Sequence, residues 1–449
     1  MRRSTATSSL LLALCLAIGA ARGQWLETTI PLPESSGPTA LCYNPQDNKI
    51  YCANDGSASV TIIDGASNQI ISTVASGYHP TALCYNPQNN KVYCANYSHG
   101  TVTVIDGASD SVASNVSVGE LPYALCYASE SNTVYCATEG ADNVKVIDGR
   151  TDSVIATIAT GIDPLAVCYN SRNNKAYTAN FSSDNLSVID CGANTLIANV
   201  PAGRGPWALC YGPLDNKVYC ANSGGSDVTV VDGAADSVVA RVNTGDSPLA
   251  FCYNPHGNKI YCVNYGNWSV SVLSGTTDSV IATIEPPFPP WAIFCSPLNN
   301  KIYCASRYGD INYITVIDGA ADQVLTVIRV GYGSRAFSLN PIQNRIYVAN
   351  YHSSSISVLR DSMPGVEEQA NREPTAAREA TLARGVLFLQ AIGGWRMASS
   401  ELLDISGRFA LSLRPGPNDV RHLAPGVYFV REAVDKGTSD RVGKIVITR

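Results

Sequence analysis

One short segment, Lys-Ile-Tyr-Cys-Ala-Asn in its first copy, brings back a tyrosine every 42 residues: Tyr51, Tyr93, Tyr135, Tyr177, Tyr219, Tyr261 and Tyr303, with an eighth, Tyr347, two residues late. A fixed period of this length marks a repeat architecture, in which one supersecondary unit covers its apolar faces only by packing on its neighbours. The copy from His79 to Ser117 shows the unit. Thr81–Tyr85 is a short, largely apolar run, and Asn86-Pro87-Gln88-Asn89-Asn90 is turn chemistry. Lys91–Ala95 and the alternating Thr101–Ile105 follow; Asp106-Gly107 opens a second turn, and Ser111–Val116 closes the copy. Four antiparallel strands in ~40–45 residues make a propeller blade, and the lack of any 3.6-residue pattern disfavours helical solenoids.

Third strands end at Asp64, Asp106, Asp148, Asp190, Asp232, Ser274, Asp318 and Arg360, which makes eight, but the last has no fourth strand after it. The segment 25–32 aligns with the outer strand of the other copies, so the N-terminus is expected to supply the missing one. The fold expected is therefore an all-β propeller of eight blades over 24–360, with seven blades as the alternative if one copy is degenerate.

The copies resemble the YVTN family of propeller repeats, closest at Tyr347-Val348-Ala349-Asn350 and Leu186-Ser187-Val188-Ile189-Asp190. That resemblance implies surface or secreted binding proteins and transfers no catalytic residues. The first 23 residues read as a secretory signal: Arg2 and Arg3, then the apolar run Leu10–Ala20, then Ala21-Arg22-Gly23. A secreted or surface location follows as an expectation, and no later stretch is long and apolar enough for a transmembrane helix.

Composition changes after Arg360. Residues 361–384 read as a polar linker, and short β runs return from Gly385 to the end, enough for a small Ig-like β-sandwich. Leu403-Asp404-Ile405-Ser406-Gly407-Arg408 and Leu423–Val430 are similar to the C-terminal sorting domain of type IX secretion substrates. The resemblance implies the type IX machinery as a partner of residues 385–449.

Five blades carry cysteine pairs on their first two strands: Cys42/Cys52, Cys84/Cys94, Cys126/Cys136, Cys210/Cys220 and Cys252/Cys262. Neighbouring antiparallel strands bring Cα atoms into disulfide range. Other copies place Thr178, Phe294, Ser338 and Val348 in the same columns, and in the seventh copy Cys295 is expected on the face opposite Cys304. That tolerance favours packed free thiols over staples, and both remain open.

The turns on one face, Asn-Pro-Gln-Asn-Asn-Lys-like and Asp-Gly-Ala-Ser-Asp-like, barely change between copies. The loops of the other face differ in every copy and carry rings: Tyr97, Phe181, Tyr265, Trp268, Tyr308, Tyr313 and Tyr351 after second strands, and Tyr78, Tyr123, Trp207, Trp291 and Tyr332 around the start of first strands. A scaffold constant on one side and varied on the other resembles a binding surface. Tyr78, Tyr123, Trp207, Trp268, Trp291, Tyr308, Arg335 and Tyr351 are the expected ligand-binding residues, and aromatic rings with Arg suit protein or carbohydrate partners.

The chain is weakly acidic, with net charge −6 and no basic run, so nucleic acid is not an expected partner. The channel-proximal column reads Thr39, Thr81, Tyr123, Leu165, Trp207, Leu249, Trp291, Arg335, with no acid and no histidine. His79, Glu120, Asp163 and Asp246 lie nearby but form no motif. No catalytic residue, metal ligand or cofactor is therefore expected. A lactonase-like hydrolase or oxidoreductase at the channel stands as the second reading, and a structural surface-layer protein as the third.

Overall fold

Every Asp-Gly turn folds on its own aspartate: in the first copy Asp64 Oδ1 accepts the amides of Ala66 (3.1 Å) and Ser67 (2.7 Å). This Asx turn, with Asn or Asp in left-handed backbone at its end (Asn68 φ 61°, Asp110 φ 54°), reverses the chain between third and fourth strands. Such turns and the Asn-rich turns between first and second strands (Asn90 φ 51°) generate the short antiparallel strands of the whole propeller. The computed structural model describes residues 24–306, 312–361 and strand segments between 381 and 447.

Those strands form eight four-stranded antiparallel sheets, the blades of a ring. Blade one contains β2 (Pro38–Asn44), β3 (Lys49–Asn54), β4 (Ser59–Asp64) and β5 (Ile70–Ala75) in that order from channel to rim. Blade eight is assembled from both ends of the ring. Its outer strand is β1 (Gln24–Pro31), paired with Ser355–Asp361 from Gln24↔Asp361 to Pro31↔Ser355. A bulge between Leu26 and Thr28 sets off Glu27, whose carboxylate takes Arg345 (Nη2 2.5 Å, Nε 2.9 Å) and Arg360 (Nε 2.9 Å). Asp361, the last described residue of the ring and fully buried, continues the third strand one residue past the expected boundary.

The repeating tyrosines are the largest fully buried side chains, and each reaches into the next blade. Tyr51 donates to Asp110 (3.3 Å), Tyr93 to Asp152 (2.8 Å), Tyr135 to Asn194 (2.7 Å), Tyr177 to Asp236 (2.7 Å) and Tyr261 to Asp322 (2.5 Å). Tyr219 reaches Asp278 at 3.5 Å, and Tyr303 and Tyr347 reach Asp361 and Asn68 at 2.6 Å across the closure. The lysine two residues earlier joins the same acid: Lys49–Asp110 at 2.8 Å, Lys91–Asp152 and Lys217–Asp278 at 2.7 Å, Lys175–Asp236 at 2.6 Å. Asparagines add a second bond between blades, as in Asn44 Nδ2 to Asn90 Oδ1 (2.9 Å) and Asn340 Nδ2 to Asn48 Oδ1 (2.9 Å).

Register decides the cysteines in favour of free, packed thiols. Cys42 lies opposite Tyr51, and Cys52 opposite Leu41. Directly paired residues share a face and successive residues alternate, so Cys42 and Cys52 point to opposite sides of the sheet. Cys42 packs between blades one and two, Cys52 between blades one and eight. All fourteen cysteines from Cys42 to Cys304 are free, and burial pushes thiols such as Cys42 and Cys210 up to about 12. The same parity puts Cys295 and Cys304 on one face, in a shared apolar cluster, and not on opposite faces.

Beyond the ring the described strands Thr381–Ala383, Val386–Leu389 and Gly416–Asp419 form one antiparallel sheet, and Ser399–Asp404, Phe409–Leu413, Gly426–Ala433 and Arg441–Ile447 another. The expected signal segment 1–23 and nearly all of the expected linker 361–384 lie outside the described residues. Among the described residues no helix is long and apolar enough to cross a membrane.

Ring closure carries a pH signature. Burial works to raise the Glu27 carboxyl, but the Arg345 hydrogen bond and the charges of Arg360 and Arg345 outweigh it and hold the group below its usual value. A carboxyl depressed on folding adds stability above its unfolded value, about 4.3, and loses it as pH falls through the lower folded value. Glu27→Gln is thus expected to lower the urea unfolding midpoint at pH 7. The gap from the parent protein should close as pH drops below about 4; a gap of constant size across that range would show that the Glu27 charge does not hold the closure.

Candidate functional site

Two positions per blade bring rings to the channel mouth on the varied face. One is the second residue of the inner strand; the other is the residue just after the second strand. Where both are aromatic they meet edge to face across a blade junction. Tyr97 of blade two meets Tyr123 of blade three at 6.0 Å between centroids, Phe181 of blade four meets Trp207 of blade five at 5.8 Å, and Tyr265 of blade six meets Trp291 of blade seven at 5.3 Å. Edge-to-face packing at these separations is the favoured geometry for rings and fixes their orientation. Burial, and then the Glu139 carboxylate beside it, push the Tyr97 hydroxyl up to about 12.

Trp268 follows Tyr265 of the third pair by three residues and is the most unusual of the expected residues. It occupies left-handed backbone (φ 58°) with 51% of its surface exposed. The equivalent positions hold Gly100, Asp184 and Ser354, smaller residues in the same region of backbone space. A large side chain there sacrifices ~1 kcal/mol, and half of its surface is nevertheless exposed.

The junction of blades eight, one and two is polar. Tyr351 occupies the ring position after the second strand, but the Arg335 guanidinium carbon stands 3.6 Å over its centroid. Its hydroxyl donates to Asp55 Oδ2 at 2.9 Å. Asp55 Oδ1 lies 2.9 Å from His79 Nδ1, and a carboxylate only accepts, so Nδ1 of this half-exposed ring carries a proton and donates it to Asp55. Stacked pairs flank the cluster: Tyr78 on His99 (5.5 Å) and Tyr332 on His352 (4.7 Å).

Of the expected residues, Tyr123, Trp207, Trp291, Arg335 and Tyr351 are half-buried around the mouth, whereas Tyr78 (64% exposed) and Trp268 project from the loops. Arg335 and Tyr351 are brought into contact; Trp207 and Trp291 sit on separate blades, each with its own loop ring. Tyr308 lies outside the described residues. Asp55 was missed. Its signal was positional, since it follows Asn54 as Tyr97, Phe181, Tyr265 and Tyr351 follow their asparagines. Glu120 and Asp163 do not join His79; Asp163 accepts a hydrogen bond from Ser182 and Asp246 one from Ser226 (2.8 Å). Among the described residues no three His, Cys, Asp or Glu side chains group as a metal site.

The repeat, the four-stranded blades and the ring closure agree with a family model described as YNCE-like beta-propeller, which matches residues 21–340. The chain belongs to that family. Comparison with curated protein sequences gives no match. Among solved structures, this YNCE-like propeller is similar to a chain of Kuenenia stuttgartiensis hydrazine synthase (TM-score 0.52, 16% identity, 75% of this chain and 99% of that one). It is also similar to dihydro-heme d1 dehydrogenase NirN in complex with DHE (TM-score 0.63, 15% identity, 76% of this chain and 75% of that one). At such identities the likeness is one of fold.

The strained, exposed indole yields a test. Trp268→Asn is expected to leave the unfolding midpoint unchanged or higher, because Asn tolerates left-handed backbone. A drop of more than about 1 kcal/mol would mean that the indole is held by packing on its loop.

Proposed function

We propose that this YNCE-like propeller is a non-catalytic binding protein that takes protein or glycan on its aromatic face. The observation that carries the reading is Trp268: a solvent-exposed indole kept in unfavourable backbone, on the same face as three ring pairs at the channel mouth. Aromatic rings with an arginine are the usual anchors of interfaces, because they give large contact area for little lost side-chain freedom.

Export and surface display belong to the same proposal and are supported by the charged and apolar N-terminal segment and by the sorting-domain motifs near the C-terminus. In this reading the propeller works outside the cytoplasm, and the C-terminal module engages the type IX machinery.

Trp207→Ala and Trp291→Ala together are expected to abolish binding on glycan arrays and in surface pull-downs while the far-UV spectrum stays that of the parent. Unchanged interactions would sink the binding reading. A second reading has its own observation, the Asp55–His79 pair with Tyr351 and Arg335 beside it, an arrangement able to hold and pass a proton. Turnover of any lactone or ester that disappears in His79→Asn would favour it.

A further inference from the structure

The ring aromatics follow a longer beat than the fold. Blades repeat every 42 residues, yet Tyr97, Phe181 and Tyr265 are 84 apart, and so are their partners Tyr123, Trp207 and Trp291. The pairs occur at the junctions of blades two and three, four and five, and six and seven. The junctions between them carry no rings at these positions: Glu139 faces Leu165, and Ser223 faces Leu249. In an eight-bladed ring a two-blade step is a quarter turn. Three like niches therefore stand at successive quarter turns round the mouth, and the fourth quarter is the polar cluster of Arg335, Tyr351, Asp55 and His79.

Nothing in the fold demands this doubling. The latches, turns and core columns repeat with every blade, so the alternation is confined to the face that varies. Edge-to-face ring pairs repeated at a fixed angular step suit a ligand made of identical units. A protein epitope is aperiodic and would meet three different environments; a polysaccharide presents the same ring at each repeat, with an apolar face suited to an aromatic platform. Charge narrows the class. The ring pairs themselves carry no charge, and on their face Glu139, Asp163 and Asp246 outnumber Arg204 and Arg335, so a polyanion finds no cation repeated from niche to niche.

We propose that the three ring pairs are equivalent subsites for an uncharged, repetitive glycan that binds across the channel mouth by occupying several of them at once. The proposal rests on the binding reading above and specifies its ligand. Each niche alone binds weakly, and linking units converts later contacts into intramolecular ones, which raises affinity steeply with length until the mouth is spanned.

The test is calorimetry of the full chain with β-1,4-linked oligomers of glucose and of N-acetylglucosamine, one to eight units long. For at least one ladder, affinity is expected to rise by roughly 10²-fold or more from the shortest binder to the longest. Phe181→Ser with Trp207→Ser should remove most of that gain while leaving the shortest binder within about twofold, because two niches persist. Binding that does not depend on length overturns the subsite proposal and leaves the binding reading standing. No binding by either ladder overturns it as well; the binding reading then falls only if the Trp207/Trp291 double variant also leaves every pull-down unchanged. The length series uses the unaltered protein, so a variant that fails to fold does not blunt it.

Discussion

The bond between a buried tyrosine hydroxyl and an acid on the next blade is what the rest of this structure depends on. A blade has apolar residues on both sides and no stability by itself, so the ring must fix both the separation and the angle of its neighbours. Tyr51 to Asp110, Tyr93 to Asp152 and their equivalents do this with a bond to an acid at six of the eight junctions, and Tyr135 and Tyr347 do it with a bond to Asn194 and Asn68. Such bonds are worth ~1.5–3 kcal/mol apiece when buried. In blades one, two, four, five and six a lysine meets the same carboxylate and balances its charge, so the tyrosine there does not face an unpaired buried anion.

This latch explains why one face is constant. The acid sits at the left-handed end of the turn between third and fourth strands, and the Asn ladder occupies the turns between first and second strands. Both are on the same side of the ring. A changed turn there would lose a bond to the neighbouring blade as well as its own shape. The opposite loops repeat a backbone bond instead, such as Tyr97 N–H to His79 O and Phe181 N–H to Asp163 O, which leaves their side chains free to diverge, and there Trp268, the ring pairs and the Asp55 cluster are found. Where the chain has two ends, at blade eight, Glu27, Asp361, Arg345 and Arg360 take over the holding.

Much of the architecture was legible from the chain because it depends on local patterns: eight tyrosines, turn residues with known backbone preferences, and a strand lacking at one end and present at the other. The face carrying the candidate site was legible for the same reason. What the chain did not disclose depends on register and on long-range contact. Cys42 and Cys52 sit ten residues apart in a hairpin, and only the pairing of Cys42 with Tyr51 decides that they face opposite ways. The partner of Tyr93 is 59 residues away, in the next repeat. Asp55 could be found only by comparing one column across blades, since nothing adjacent in sequence joins it to His79, Tyr351 and Arg335.

Two sets of aromatic residues thus share the same blades: tyrosines that hold the ring and rings proposed to meet a ligand. Blades two, four and six carry one of each, Tyr93 and Tyr97, Tyr177 and Phe181, Tyr261 and Tyr265. The most direct measurement compares two triple variants for unfolding midpoint and ligand capture. Tyr93→Phe, Tyr177→Phe and Tyr261→Phe should lower the midpoint and keep capture; Tyr97→Ser, Phe181→Ser and Tyr265→Ser should keep the midpoint and lose capture. If the serine variant unfolds as readily as the phenylalanine variant, or captures as well as the parent, the division of labour between the two faces is wrong.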